Sequence, residues 1–235
     1  MSTYNTLERK HAASIEAIRS CQSLHVEHSA IGDLEEGFDE LPDPEEYNRD
    51  WRGLQLDATM VEQPLRFSQL NIHWQTRDPL PKFSGEYSIP PAGEILLQLP
   101  DPISADLKDH FQRDFLGQLR RIDSAYRSSL GFISCLRMTP LTSPIEVWFA
   151  AMENIGQSQY PSGYVRLDLD YHGYMEALLL TKGFHGWQFL FADLAFGSGE
   201  GTYIVEGVRR ALETLPSLFP HEDFTELQRR LEARL

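Results

Sequence analysis

Cysteine is scarce in this chain: Cys21 and Cys135 are the only two among 235 residues, and they lie far apart in sequence. That usage excludes the dense disulfide framework of a small secreted scaffold and leaves two reduced thiols as the expectation. Positive charge is also in short supply. Lysine and arginine total 21 against 35 aspartates and glutamates, a formal net charge of −14. The long-range field therefore repels polyanions and attracts cations, so nucleic acid is not an expected partner. No stretch approaches the ~20 consecutive apolar residues that a membrane span requires. No apolar signal-peptide run follows the charges of the first ten residues either, so no membrane partner is expected and the cytoplasm is the expected compartment. A CxxC pair, a Walker loop, a GxGxxG turn, a GxSxG elbow and an HExxH helix are all missing, which removes the common signatures of enzyme chemistry.

What is present belongs to an ordinary globular protein. The chain is 41% apolar, 11% aromatic and 24% charged, which argues against wholesale disorder and against a fibrous repeat. Tyr4, Leu7, His11, Ile15, Ile18 and Leu24 recur at helical spacing and predict an amphipathic helix over residues 2–28. Gly32 to Asp50 then carries nine acidic residues against Arg49 alone, with Pro42 and Pro44 interrupting any helix, and reads as an exposed acidic loop. Short alternating runs punctuated by proline predict several strands between Arg52 and Leu99. Asp101-Pro102 is a helix-start pair, and Ile103, Leu107, Phe111, Phe115, Leu119, Ile122 and Tyr126 follow at helical spacing, predicting a long helix over 102–129. From Ile145 onward, Ile145–Glu153, Tyr164–Asp170, Tyr174–Thr181 and Trp187–Leu194 read as strands of an antiparallel meander with glycine-containing turns. Two closing helices are expected, one carrying Ile204, Val208, Leu212 and Leu215 and stopping at Pro216, the other starting near Asp223. The resulting expectation is one α+β domain over 1–235, with a central antiparallel or mixed sheet flanked by N-terminal, middle and C-terminal helices. Its expected parts are an N-terminal helix and acidic loop over 1–50, strands and a long helix over 51–140, and the meander with its helices over 141–235.

Candidate chemistry is sparse. Cys21, His25 and His28 would share one side of a continuous helix, a spacing that suits zinc but lacks a fourth ligand nearby, so no metal or other cofactor is expected. Asp168 and Asp170 alternate on a predicted strand with His172 two residues further on, a pattern open to a metal-dependent hydrolase. It is equally what the solvent side of a half-buried strand shows, and no nucleophile or oxyanion loop accompanies it. The arginine pairs at 120–121, 209–210 and 229–230 read as solvated helix faces. Trp187, Phe189 and Phe191 with Tyr171 and Tyr174 read as core rather than as a ligand pocket. The acidic segment is the feature that asks for a reason, because self-repulsion opposes folding. An anionic surface that meets a cationic partner supplies one.

The runs Gly163 to Tyr174, Leu178 to Gly183 and Trp187 to Asp193 resemble the late-strand hairpins of the SUKH superfamily: a strand ending in acidic residues and an aromatic, an apolar strand, a glycine-containing turn, and a tryptophan-containing strand ending in Ala-Asp or a similar pair. The resemblance spans about residues 145–235, and Leu41-Pro42 with Tyr47, Trp51 and Gly53 echoes the family's front end. It implies a non-enzymatic α+β binding domain, used in bacteria chiefly as an immunity protein that neutralises a polymorphic toxin, often a nuclease, and in fungi within a regulatory scaffold or adaptor. The expected partner is therefore a protein, a basic toxin domain. The expected contact residues are Asp33, Glu35, Glu36, Asp39 and Glu40, with Asp168, Asp170 and Tyr171 as a second patch.

Overall fold

The computed structural model describes residues 3–35, 41–100, 107–128, 130–140, 142–151, 159–194 and 201–235. It is α+β, and among the described residues all strand pairing is antiparallel, in two adjoining sheets rather than one central sheet. The first sheet has the order β1 (Leu24–Ile31), β2 (Leu70–Thr76), β3 (Ser84–Ile89). The second runs β4 (Leu119–Ala125), β5 (Phe132–Arg137), β6 (Glu146–Ala150), β7 (Tyr164–Leu167).

Helix α1 (Thr6–Ser20) begins with a capping box: Asn5 Oδ1 accepts from the Glu8 N–H at 2.9 Å and the Glu8 carboxylate accepts from the Asn5 N–H at 2.8 Å. Leu7, His11, Ile15 and Ile18 bury along one stripe, as the spacing predicts. The helix is shorter than the periodicity suggests. Cys21 turns to extended geometry at ψ 108°, and the following backbone finds its partners in β2, so Leu24 reaches the core from a strand. The carboxylate of Glu8 is completely buried and holds the guanidinium of Arg66 at 2.8 Å, tying α1 to the chain that enters β2.

Short helices α2 (Pro44–Tyr47) and α3 (Ala58–Glu62) and a 3-10 turn (Arg49–Trp51) join the first two strands. Pro44 starts α2 behind the Asp43 cap instead of preventing a helix, because a proline in the first turn lacks only an N–H that would be unpaired anyway. Helix α4 (Ala92–Leu97) follows β3, and α5 (His110–Gly117) precedes β4. The long helix expected over 102–129 is therefore absent as such: Asp101-Pro102 lies outside the described residues, and Leu119–Ala125 is a strand paired with β5. Its helical periodicity reflects burial on both faces, since Leu119, Arg120, Ile122, Asp123, Ser124 and Ala125 are all buried.

The expected strand Tyr174–Thr181 belongs instead to helix α6 (Tyr171–Thr181), and much of the expected strand Trp187–Leu194 is a 3-10 turn at Trp187–Phe191. Asp170 decides the first case by accepting the Gly173 N–H at 2.7 Å as an N-cap, which turns Tyr171-His172-Gly173 into a helix start rather than a hairpin. A segment apolar nearly all round packs equally well as a buried helix. Gly183 (φ 67°) takes the left-handed conformation behind it, beside the Tyr87 ring, where a Cβ would come within 2.7 Å of Cδ1. Helices α7 (Gly201–Leu218) and α8 (Thr225–Glu232) close the chain, and Pro216 sits inside the last turns of α7 rather than ending it.

No backbone ladder joins β3 to β4. Side chains close that seam. Asp123 Oδ1 on β4 accepts the Ser88 N–H of β3 at 2.9 Å. The Glu86 carboxylate on β3 accepts the Arg127 and Ser128 N–H groups beyond β4, each at 2.7 Å. The Gln98 side-chain amide exchanges two bonds with Arg121, at 2.9 and 2.8 Å, in place of a neighbouring strand. The loop at Gly183–His185 covers the rest of the β3 edge. Edges that could recruit another chain are thus capped internally.

Candidate functional site

The alternation of β6 and β7 sends Val147, Phe149, Val165 and Leu167 into the main core, where each is nearly inaccessible. Glu146, Trp148, Tyr164 and Arg166 occupy the opposite face. There the rings of Phe115, edge-on, and Tyr160, tilted, pack against Trp148 with centroids 4.7 and 4.5 Å away, forming a small second core. Beyond Leu167 the chain makes an antiparallel bridge to Ala192, with the Asp168 N–H donating to the Phe191 carbonyl at 2.7 Å. That register opposes Asp168 to Phe191 and Arg166 to Asp193; Arg166, Asp168 and Asp193 are exposed, while Phe191, Leu167 and Ala192 are buried.

These residues line a cleft of about 820 Å³. Among the described residues, Trp148, Tyr160, Tyr164 and Phe191 supply aromatic wall, and Glu146, Asp168, Asp170 and Asp193 supply four carboxylates against the one lining cation Arg166. The carboxylates differ in how far they are already engaged. Glu146 takes Arg137 and Arg166, each at 3.3 Å, and the Trp148 indole N–H at 2.9 Å. One oxygen of Asp170 is committed to capping α6. Asp168 is 84% exposed, with Arg230 Nη1 no nearer than 3.7 Å, and Asp193 is exposed. The guanidinium of Arg230 meanwhile lies over the Phe191 ring at 4.5 Å and donates to Glu226 at 3.0 Å.

Asp168 and Asp170 therefore share this cleft, but not as neighbours on a strand face: β7 ends at Leu167, Asp168 lies beyond its end, and Asp170 is a helix cap. His172, third member of the hydrolase pattern, is exposed in the first turn of α6. Tyr171 does not belong to an exposed patch. Its ring is 1% accessible, because the first turn of α6 aims it into the core, and burial pushes its hydroxyl well above the usual tyrosine range. Asp33 and Glu35 follow β1 and are tied to the chain before β2 through Ser68 and Arg66; neither lines the cleft. Glu36, Asp39 and Glu40 lie outside the described residues.

Cys21, His25 and His28 are not on one helix. Cys21 caps α1, whereas His25 and His28 sit on β1 either side of a bulge, opposite Gln75 and His73. Among the described residues no group of three or more histidine, cysteine, aspartate or glutamate side chains is arranged to hold a metal ion. Arg120 is likewise no solvated helix residue: it is 3% exposed on β4, over the Trp51 ring, donating to the Gly117 and Leu119 carbonyls. The aromatic set Tyr171, Tyr174, Trp187, Phe189 and Phe191 is core, as its composition suggests, though from helical rather than strand positions.

Residues of the cleft that sequence reasoning passed over are Glu146, Trp148, Tyr160 and Asp193. The signal for the first two was available: Glu146 and Trp148 alternate on one strand and so share a face. Asp193 comes in only through the bridge at Ala192, a long-range register that local pattern does not encode. Comparison with protein-family models, with curated proteins and with solved structures gave no match.

Proposed function

We propose that this protein is a non-enzymatic binding protein that covers a cationic surface of a protein partner, and that the partner is a toxin domain of the kind the SUKH resemblance implies, such as a nuclease. The observation that carries this reading is the aromatic-walled cleft whose described lining has four carboxylates and one arginine. A polyanion-binding active site must itself be cationic, so an acidic protein that fits over it competes by charge as well as by shape. The net charge of −14 adds long-range steering of such a partner.

The test is to clone the open reading frames that flank this chain's gene, co-express any that encodes a basic toxin domain while reading growth, and then measure binding of the purified pair. Protection is expected, with affinity falling at least about tenfold between about 50 and 300 mM salt because exposed charge pairs are screened. Reversal of the two most exposed cleft carboxylates, Asp168→Lys with Asp193→Lys, should abolish protection and slow association more than it speeds release. Protection that survives the double reversal, or an affinity indifferent to salt, overturns the reading.

A further inference from the structure

We propose that the group this cleft selects is arginine, presented on an extended segment of the partner, with its guanidinium seated between Asp168 and Asp193 and against the aromatic wall. The inference rests on the binding reading above and narrows it to one side-chain chemistry. Three features of the cleft point the same way.

The first is the layout of exposed charge: Arg166 stands opposite Asp193 and Arg230 lies near Asp168, yet both acids stay exposed. The bridge at Leu167–Ala192 places Asp168 and Asp193 diagonally on one face of two adjacent chain segments, both exposed and both lining the cleft. Two carboxylates flanking one position suit a planar ion with several N–H donors in a fixed fork better than a compact ammonium. The second feature is the wall. Tyr160 and Tyr164, both partly accessible, present ring surface beside the carboxylates, with the buried Trp148 behind them, and a guanidinium stacks on such faces while an ammonium remains more strongly hydrated.

The third is that the chain already uses this chemistry on the same ground. Arg230 lies over Phe191 at 4.5 Å, 3.7 Å from Asp168, and Arg137 lies over Phe115 at 5.2 Å while pairing with Glu146 at 3.3 Å. No lysine lines the cleft among the described residues. The walls thus hold their own arginines between a ring and a carboxylate, while Asp168 and Asp193 keep most of their surface open for another.

The probe is a pair of neutral-ended five-residue peptides, Gly-Arg-Gly-Arg-Gly and Gly-Lys-Gly-Lys-Gly, titrated into the intact protein by nuclear magnetic resonance at low salt. The arginine peptide is expected to bind about tenfold more tightly than the lysine peptide, with shifts centred on the Trp148 indole and on residues 166–168 and 191–194. Asp168→Asn with Asp193→Asn should reduce the arginine peptide to the level of the lysine one. Both sites are exposed, and unchanged thermal unfolding of the variant confirms that it is folded. Equal affinity of the two peptides, lost in the double variant, overturns the arginine inference and leaves the binding reading standing. Binding of neither peptide overturns the inference and removes the cleft from that reading too; binding unaffected by the double variant overturns the assignment of the site.

Discussion

Asp123 offers the sharpest test of how the two sheets are held together. Its carboxylate is fully buried at the β3–β4 seam: Oδ1 accepts the Ser88 and Ser124 N–H groups at 2.9 and 2.7 Å, and Oδ2 lies 2.8 Å from the Tyr174 hydroxyl. That hydroxyl is also 2.8 Å from Ser134 Oγ. A tyrosine has one proton to donate, so one of its two contacts must run inward. With Asp123 protonated, Oδ2–H donates to Tyr174 and Tyr174 donates to Ser134; with Asp123 ionised the chain of donors reverses. Burial is the main influence on the acid and raises it from 3.8 to about 7, with the Glu86 charge adding to the rise and the bonds from Tyr174, Ser88 and Ser124 opposing it. Because the folded-state value is the higher one, the stability it contributes is fully present below pH 3.8 and is lost as pH rises through about 7. A gap of about three pH units corresponds to about 4 kcal/mol. Asp123→Asn keeps an oxygen for the two N–H groups and an N–H for Tyr174, reproducing the protonated form without a titration. Relative to the parent, this variant should gain about 4 kcal/mol between pH 4 and pH 7.5 in urea unfolding followed by circular dichroism. The comparison cancels the titrating groups remote from this seam. Asp123→Ala leaves two buried N–H groups without an acceptor and should cost about 3 kcal/mol or more relative to Asp123→Asn at every pH in that range. Parallel stability curves for parent and Asp123→Asn, separated by a constant offset, would refute the argument.

Other parts of the molecule make separate claims. Glu8→Ala removes the buried carboxylate that holds the Arg66 guanidinium and half of the α1 capping box, and should lower unfolding free energy by about 3 kcal/mol; a loss below about 1 kcal/mol in denaturant melts would contradict the burial of this pair. Gly85 faces the Trp74 ring so closely that a Cβ would stand 2.6 Å from it, so Gly85→Ala should destabilise by about 1–3 kcal/mol and quench or shift tryptophan fluorescence. Burial lowers His11 to about 3 and His185 to about 4, so the stability their neutral forms contribute is present above pH 6.5 and lost as pH falls through those values. His11→Leu, which replaces an imidazole whose two nitrogens are without partners, should move the acid-unfolding midpoint to lower pH, and an unmoved midpoint would count against the account. Tyr171→Phe removes a buried hydroxyl that has no hydrogen-bond partner, so thermal stability should hold or rise slightly; a drop of several degrees would show an unrecognised bond.

Several features of the fold could be read along the chain because they are local. The stripe from Leu7 to Ile18 and the faces of α7 and α8 follow from helical spacing, and the strand character of β6 and β7 follows from alternation. Helix and strand were confused where burial erased the pattern. Leu119–Ala125 is covered on nearly every side, and the more accessible face of Tyr171–Thr181 carries Leu179 and Leu180 beside His172 and Glu176, so neither shows a consistently polar face from which a period of two or of 3.6 can be read. The Asp170 cap and the left-handed residues Lys182 and Gly183 were the local signs that favoured a helix for the second.

The amino-acid sequence by itself determined the acidic balance, the paucity of thiols, the α+β character and the presence of Asp168 and Asp170 at the end of a strand, because each depends on composition or on neighbours a few residues apart. Tertiary structure alone decided which acids meet. It paired Leu167 with Ala192 and so brought Asp193 beside Arg166 and Asp168, it turned Tyr171 inward, and it closed the β3–β4 seam with Asp123 and Glu86 in place of a backbone ladder. Those choices are set by long-range register, by burial of apolar surface and by the need to satisfy the polar groups of the seam, and none of these is written in any short window of residues.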